Sequence, residues 1–506
     1  MRFDRSILSI SLLVVGLAWT LWFVFAGFGN HQDPLYWLYK YQHLEGGWMA
    51  VGTLLTGGAV VRLFGAELLP LRLFGWLCTV VAIVLPYCCL LDKEQRKQNL
   101  HWLAITFLLM GYGAFQEFSP GTLTVLLLSA LWVTQSPIIA GLAVAARFPN
   151  ILALLVLIPL WKKKCAWNIP IAAATAGIVY GLGYLFVTPA PLDAAMTSHD
   201  FWPMITKLWT NAGMLIGFLL LGIGVLALGE KGVKGLKAEW MKGVAVGALL
   251  VLFIALTIKP TQWYNIDMTY LISALCLVIA LTNHQSSIIN HQSAIGAAIL
   301  MVATLGTDTA WLKLFPAVLC LLPVAAAQHT EPLRRYLWWV MVPVTILVMV
   351  RHNTNSIGRD RLTQATTFSA ITPYRGIAIT EAQEARIRQY KADYESQRLA
   401  FSDERLEVLA LGQENHLMRA VTGCEAARYN EFWSNIFDSV YTAKYRPIIE
   451  AEQPIVFVSF SPQFKTKPAY KDRESAMENM LREQGYTAID RNTFRYTIYI
   501  PLNAKP

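Results

Sequence analysis

Charge is what this sequence has least of. Asp, Glu, Lys and Arg make up 15% of its 506 residues, where a soluble chain carries about 25%. With 55% apolar residues and a mean hydropathy of +0.42, a wholly soluble globular protein is excluded. Cysteine is sparse as well. The seven are Cys78, Cys88, Cys89, Cys165, Cys276, Cys320 and Cys424. Most lie in apolar segments, where Cys behaves as a small hydrophobe. No CxxC pair or Cys/His cluster occurs, so neither a disulfide scaffold nor a cysteine metal site is indicated. Also missing is a basic face interleaved with aromatics. The net charge of +9 is therefore no nucleic-acid footprint. It fits short Lys/Arg loops that orient membrane helices.

What the chain has instead is long apolar runs. From residue 6 to about 350 they follow one another at roughly 15–22 residues each, the length that crosses a bilayer as a helix. From about 351 onward the composition is that of ordinary soluble protein. The expected fold is a polytopic α-helical membrane bundle of about 11–13 helices, residues 1–350, followed by an extracytoplasmic α/β domain, residues 351–506. The first run, 6–28, exceeds a signal-peptide core and has no small-x-small site close behind it. It reads as a first membrane helix with its N-terminus in the cytoplasm.

Basic loops set the expected topology. "DKEQRKQ" (92–98), "WKKKCAW" (161–167), "GEKGVKGLKAEWMKG" (229–243) and "HTEPLRRY" (329–336) fall on the cytoplasmic side. Runs near 101–115, 120–135, 136–147 and 150–161 fit between the first two of these loops. Between 29 and 92 a single net crossing is required, yet two apolar runs occur, 48–64 and 71–91. The first is expected to be a juxtamembrane or re-entrant helix, and 136–147 with 150–161 a broken pair. The last run, 337–350, leaves the polar domain outside, in the periplasm of a cell with an inner membrane.

The polar domain reads as mixed α/β. Residues 380–400 and 471–486 have helical patterns, the second ending at Gly485. Residues 405–412, 454–460 and 493–500 read as strands. It contains no nucleophile elbow, phosphate loop or metal motif. "NHQSSIINHQSAIG" (283–296) is a polar linker with a near-direct repeat.

On this topology the acids, aromatics and selected bases gather on the outer face. The stretch "FGNHQDPLYWLYKYQHLEGG" (28–47) puts Asp33 among Tyr36, Trp37, Tyr39 and Tyr41. Glu117, Arg147, His199 with Asp200, Lys207 and Lys259 fall in other outer loops. A carboxylate at membrane level is costly unless solvated or paired, so Asp33 is a candidate functional residue. The alternative is an interfacial acid with aromatic-belt neighbours; for Arg147 it is a snorkelling base.

An acid just after the first helix, followed by "VVRLFGAELLPLRLFGWL" (60–77), resembles the GT-C glycosyltransferases. Among these are the protein O-mannosyltransferases and the lipid A aminoarabinose transferases. "GLAVAARFPNILALLVLIPL" (141–160) resembles a further segment of that family and places Arg147 at its basic position. The likeness covers about residues 1–160. The sequence departs from the family in its acids: Asp33 is followed by Pro34, with Glu45 twelve residues on and Glu117 in the next outer loop.

The resemblance implies an inverting sugar transfer from a polyprenyl-phosphate carrier to a lipid, glycan or protein acceptor at the outer face of the cytoplasmic membrane. It implies Asp33 as base and Glu117 as second carboxylate. Arg147 and Lys259 would contact the donor phosphate, and Tyr36 and Trp37 would stack on sugar or lipid. Neither a metal nor another cofactor is expected. Membrane lipids are expected partners and nucleic acid is not. The alternative is a transporter or flippase for a lipid-linked or small substrate.

Overall fold

The computed structural model describes residues 5–27, 32–46, 48–110, 117–189, 266–281, 288–304, 310–354, 365–400, 408–412, 415–422, 439–459, 477–494 and 496–502. The apolar runs of the sequence at 211–228 and 243–257 lie outside them. The chain is mostly helical, with a small mixed sheet near its C-terminal end. Helical stretches Ile7–Phe25, Leu68–Leu90, Phe148–Phe186 and Glu331–Val350 are long and apolar enough to cross a membrane.

The first part is a serpentine of helices. α1 (Arg5–Phe25) runs toward the end of the bundle on which the C-terminal region sits, here the capped end. There follow α2 (Gln32–His43), β1 (Glu45–Gly46), α3 (Val51–Phe64) and α4 (Leu68–Leu90). α4 descends beside α1, with Trp76 Nε1 donating to Thr20 Oγ1 at 2.9 Å. α5 (Lys93–Met110) returns, and α6 (Pro120–Thr134) descends in parallel with α4. Phe118 N–H bonds Leu71 carbonyl and Ser129 Oγ bonds Ala82 carbonyl, which fixes that parallel pairing.

α7 (Pro137–Ala146) climbs again, a 3₁₀ turn covers Phe148–Leu152, and α8 (Ala153–Trp161) comes back down. Trp161 Nε1 donates to Gln135 carbonyl at 2.8 Å, closing this hairpin at the far end. Lys162, with φ +49°, starts the basic turn into α9 (Cys165–Phe186). α9 rises to the capped end, where β2 (Thr188–Pro189) pairs in parallel with β1. The expected broken pair is thus a helical hairpin. Trp102, Trp132 and Ile272 are among the side chains fully buried in the core that α5, α6 and the Ile266–Leu281 helix build around the Ala310–Ala327 helix. The Ile288–Met301 helix completes that core. The expected polar linker at 283–296 is therefore helical from Ile288 on and bonds to its neighbours inside the bundle: Trp132 Nε1 donates to Gln292 carbonyl and Ser293 Oγ to Gln328 Oε1.

α3 does not cross the bundle. Thr53 Oγ1 donates to Ala146 carbonyl at the capped end, and just beyond the helix Leu68 N–H bonds Pro373 carbonyl of the C-terminal region. Both ends therefore stay at one level. At about 1.5 Å per residue the helix spans about 21 Å, short of a bilayer core of about 30 Å. Its glycines let it lie against α2: a Cβ on Gly57 would stand 2.4 Å from the Tyr41 ring, and one on Gly58 2.3 Å from Leu44.

The Glu331–Thr354 helix leads into the C-terminal region. β3 (Thr367–Phe368) and β4 (Ala378–Ile379) form a short antiparallel ribbon stitched to the end of α1, with Gly27 N–H bonding Ala378 carbonyl at 2.7 Å. The main sheet contains β5 (Val408–Gly412), β6 (Ile455–Ser459), β7 (Tyr486–Arg491) and β8 (Tyr496–Pro501), in the order β5-β6-β8-β7. β5 and β6 are parallel and the other pairs antiparallel. Buried on both faces, β6 is an unbroken apolar run with one Ser, as a central strand must be. The Glu381–Ala400 helix packs on the sheet through Asp393, which accepts from Arg491 Nε at 2.9 Å and from the Tyr496 hydroxyl.

Candidate functional site

The capped end collects the sequence-predicted residues. α2 begins beside a proline, Pro34, in its first turn, where a missing N–H costs nothing. Asp33 is its second residue, and Lys40 and His43 occupy the last turn, where the helix dipole favours a base. Tyr36 and Trp37 stand on the next turn, half-buried and edge-to-face at 5.4 Å. Both rings are packed by protein. Tyr36 meets His416 edge-on at 5.5 Å, and Trp37 stacks on Tyr41 at 5.9 Å.

Glu117 sits in the turn just before α6. That turn is fixed by Ser119, the N-cap, whose Oγ accepts from Thr122 N–H, and by Pro120 at the first helical position. Thr122 Oγ1 also holds the Glu117 carbonyl at 2.9 Å. α2 is pinned to the same turn, since the buried Tyr41 hydroxyl donates to Phe118 carbonyl at 3.2 Å.

The Glu117 carboxylate faces Arg72 of α4: Nε stands 3.2 Å from Oε1, with the arginine fully buried and the acid 11% exposed. Arg72 Nη1 donates to Gly27 carbonyl at 3.0 Å, so the same guanidinium also holds the end of α1. Sequence reasoning missed Arg72 as a site residue. The signal was present: an arginine among Leu71, Leu73 and Phe74 in an apolar helix demands a partner.

Arg147 terminates α7 at the tip of the helical hairpin. It is 7% exposed, with Nη1 donating to Ala303 carbonyl at 3.0 Å. A snorkelling base leaves its head in water; this one is buried. Asn150 fixes the turn by donating to Ala143 carbonyl at 2.8 Å and Thr124 Oγ1 at 3.1 Å. Thr53 on the neighbouring carbonyl of Ala146 ties α3 to the same turn. Lys259 lies outside the described residues, as do Lys207, His199 and Asp200.

A second group of charged residues, also unforeseen, joins α2 to the C-terminal region. Lys40, His416 and Arg419 are 2%, 3% and 5% exposed. Lys40 Nζ lies 3.6 Å from Glu45 Oε1, and the Tyr39 hydroxyl donates to Glu45 Oε2 at 3.1 Å. Burial, then the nearby charges of Arg419 and Lys40, hold the His416 imidazole well below its usual range. It is therefore neutral at pH 7. Among the described residues no group of three or more His, Cys, Asp or Glu is placed to hold a metal ion.

Neither a family model nor a curated protein matches the chain. Among solved structures it is similar to the oligosaccharyltransferase of Archaeoglobus fulgidus tethered to an acceptor peptide containing the NVT sequon. The identity is 12% and the TM-score 0.45, over 99% of this chain and 75% of that one. The oligosaccharyltransferase AglB of the same organism, with an inhibitory peptide and a dolichol-phosphate, gives 13% and 0.46 over 98% and 75%. ArnT from Cupriavidus metallidurans in the apo state gives 10% and 0.43 over 97% of each chain.

The site is thus an acid-bearing helix laid across the end of a membrane bundle. It is pinned to a second acid whose partner is a buried guanidinium, and a small α/β region packs against it.

Proposed function

We propose that the chain is an integral-membrane glycosyltransferase. It moves a sugar from a polyprenyl-phosphate carrier to an acceptor at the membrane face covered by the C-terminal region. That face is the outer, periplasmic one by the basic-loop argument, with the N-terminus in the cytoplasm. The observation that carries this reading is the convergence at that face of the Asp33-bearing α2 and the Arg72–Glu117 pair.

In the proposed reaction Asp33 accepts the proton of the acceptor hydroxyl as its oxygen attacks the anomeric carbon. The bond from that carbon to the phosphate oxygen breaks, and the lipid phosphate departs with the electron pair. Attack opposite the leaving group inverts the anomeric centre. The transition state has oxocarbenium character, which a nearby carboxylate stabilises; Glu117 is assigned that part. Arg147 and Lys259 are assigned to the phosphate, where cations offset the developing charge. Tyr36 and Trp37 are assigned to the wall along which sugar and prenyl chain lie. The step as written draws on no metal or other cofactor.

Native mass spectrometry of the protein taken gently from its own membranes tests this. A co-purifying polyprenyl phosphate or prenyl-phosphate sugar, lost in Arg147→Ala, supports the reading, and its mass names the sugar. Bulk phospholipid alone, together with no transfer from any prenyl-phosphate sugar supplied, overturns it.

A further inference from the structure

The contacts between α2 and the Asn415–Thr422 helix close into a ring. Arg419 lays its guanidinium 3.4 Å above the Tyr39 ring. The Tyr39 hydroxyl donates to Glu45, Glu45 pairs with Lys40, and Lys40 Nζ lies 5.3 Å over the Tyr36 ring. Tyr36 meets His416 edge-on, one turn before Arg419 on the same helix. Four of these side chains, Tyr39, Lys40, His416 and Arg419, are at most 5% exposed. A cation held against an aromatic face away from water is bound more strongly than one at an exposed site.

This ring grips α2 on the turns that follow Asp33. Among the described residues α2 is also held by the membrane bundle, through Tyr41 on Phe118 and through Gly57 and Gly58 of α3. One helix is therefore held from two sides, by the bundle and by the C-terminal region. The second hold is the one through which a change in the C-terminal region reaches α2 directly.

We propose that Arg419 of the C-terminal region is a positioning residue for the reaction, setting the placement of the Asp33-bearing helix through its stack on Tyr39. The region is then a working part of the site rather than a cover. This rests on the glycosyltransferase reading for its kinetic consequence, though the physical coupling stands apart from it. A planar guanidinium is required, because a lysine keeps the charge but cannot lie flat on the ring.

The test uses the full chain, with wild type, Arg419→Lys, Tyr39→Leu, their double variant, and Tyr39→Phe. Tyr39→Phe keeps the ring and loses only the hydroxyl. With a prenyl-phosphate sugar donor, Arg419→Lys and Tyr39→Leu should each lower kcat about tenfold to a hundredfold, the scale of a catalytic group displaced by about 1 Å. The donor KM should stay within about twofold, the double variant should be no worse than either single one, and Tyr39→Phe should retain activity. Multiplying effects, or a KM change at constant kcat, overturn the proposal.

Hydrogen exchange gives a readout without turnover. Amides of residues 32–43 should exchange faster in Arg419→Lys than in wild type, while those of α4 and α6 stay unchanged. Unchanged exchange in 32–43 overturns the proposal even if sugar transfer is observed. Faster exchange in a protein that transfers no sugar upholds the coupling and removes the glycosyltransferase reading.

Discussion

Arg72 and Glu117 stand 3.2 Å apart, Nε to Oε1, at the point where α1, α4 and the start of α6 come together. The arginine is wholly enclosed, and its Nη1 serves the carbonyl of Gly27. Its charge is thus matched by one carboxylate and one helix end. Removing the acid would strand an enclosed cation.

Glu117→Ala should therefore destabilise the fold by about 3–5 kcal/mol, the cost of breaking a buried pair from one side. The double replacement Arg72→Met with Glu117→Leu removes both charges and should cost less than Glu117→Ala alone. Thermal unfolding of wild type and both variants in detergent checks this. Equal losses in the two variants would show the pair to be uncoupled.

Asp33→Asn keeps the size of the side chain and removes the proposed proton acceptor. Sugar transfer should fall by about 10²–10⁴-fold, the usual contribution of a general base. Retention of co-purified lipid phosphate should be unchanged. A variant that still turns over at the wild-type rate would take Asp33 out of the chemistry.

Gly57→Ala would bring a methyl to within 2.4 Å of the Tyr41 ring, which is fully enclosed and bonded through its hydroxyl to Phe118. Neither side has room, so α2 must lift from α3. A loss of about 1–3 kcal/mol is expected, as for overpacking elsewhere. Activity should fall further than stability, because the displaced helix carries Asp33. Unchanged activity would mean that the placement of α2 is immaterial.

His416 links stability to pH. In the folded chain burial, then Arg419 beside it and Lys40 from α2, keep the imidazole neutral well below its usual range. Once unfolded, it takes up a proton below about pH 6.5. The unfolded state then binds more protons, so stability is present above about pH 6.5 and is lost as pH falls below it. Melting temperatures between pH 7.5 and 5 should drop in wild type and stay flatter in His416→Gln. Parallel curves would show that this histidine does not titrate on unfolding.

Much of the architecture follows from the sequence read locally. The runs at 120–135, 136–147 and 150–161 became α6, α7 and α8 because an apolar run without water around it satisfies its backbone hydrogen bonds within itself, as a helix. The non-crossing α3 followed from parity, since two apolar runs had to yield one net crossing. Strands β5, β6 and β8 were visible as short apolar, β-branched and aromatic runs. β7, "YTAIDR", alternates weakly and lies at the sheet edge; it becomes a strand by pairing with β8. The Asn415–Thr422 helix was likewise invisible, being too short to be stable without tertiary partners.

The sequence by itself determined that this is a helical membrane chain with a mixed C-terminal region, and that Asp33, Glu117 and Arg147 are costly residues at a membrane end. Those are properties of runs and of single side chains. Only the tertiary structure decided which charges meet. Arg72 finds Glu117 after the chain has gone down α4 and back up α5, and Arg419 reaches Tyr39 from the far end of the sequence. A buried charge announces that it needs a partner, because leaving water is expensive. Its own neighbours in the chain cannot say which partner it will get.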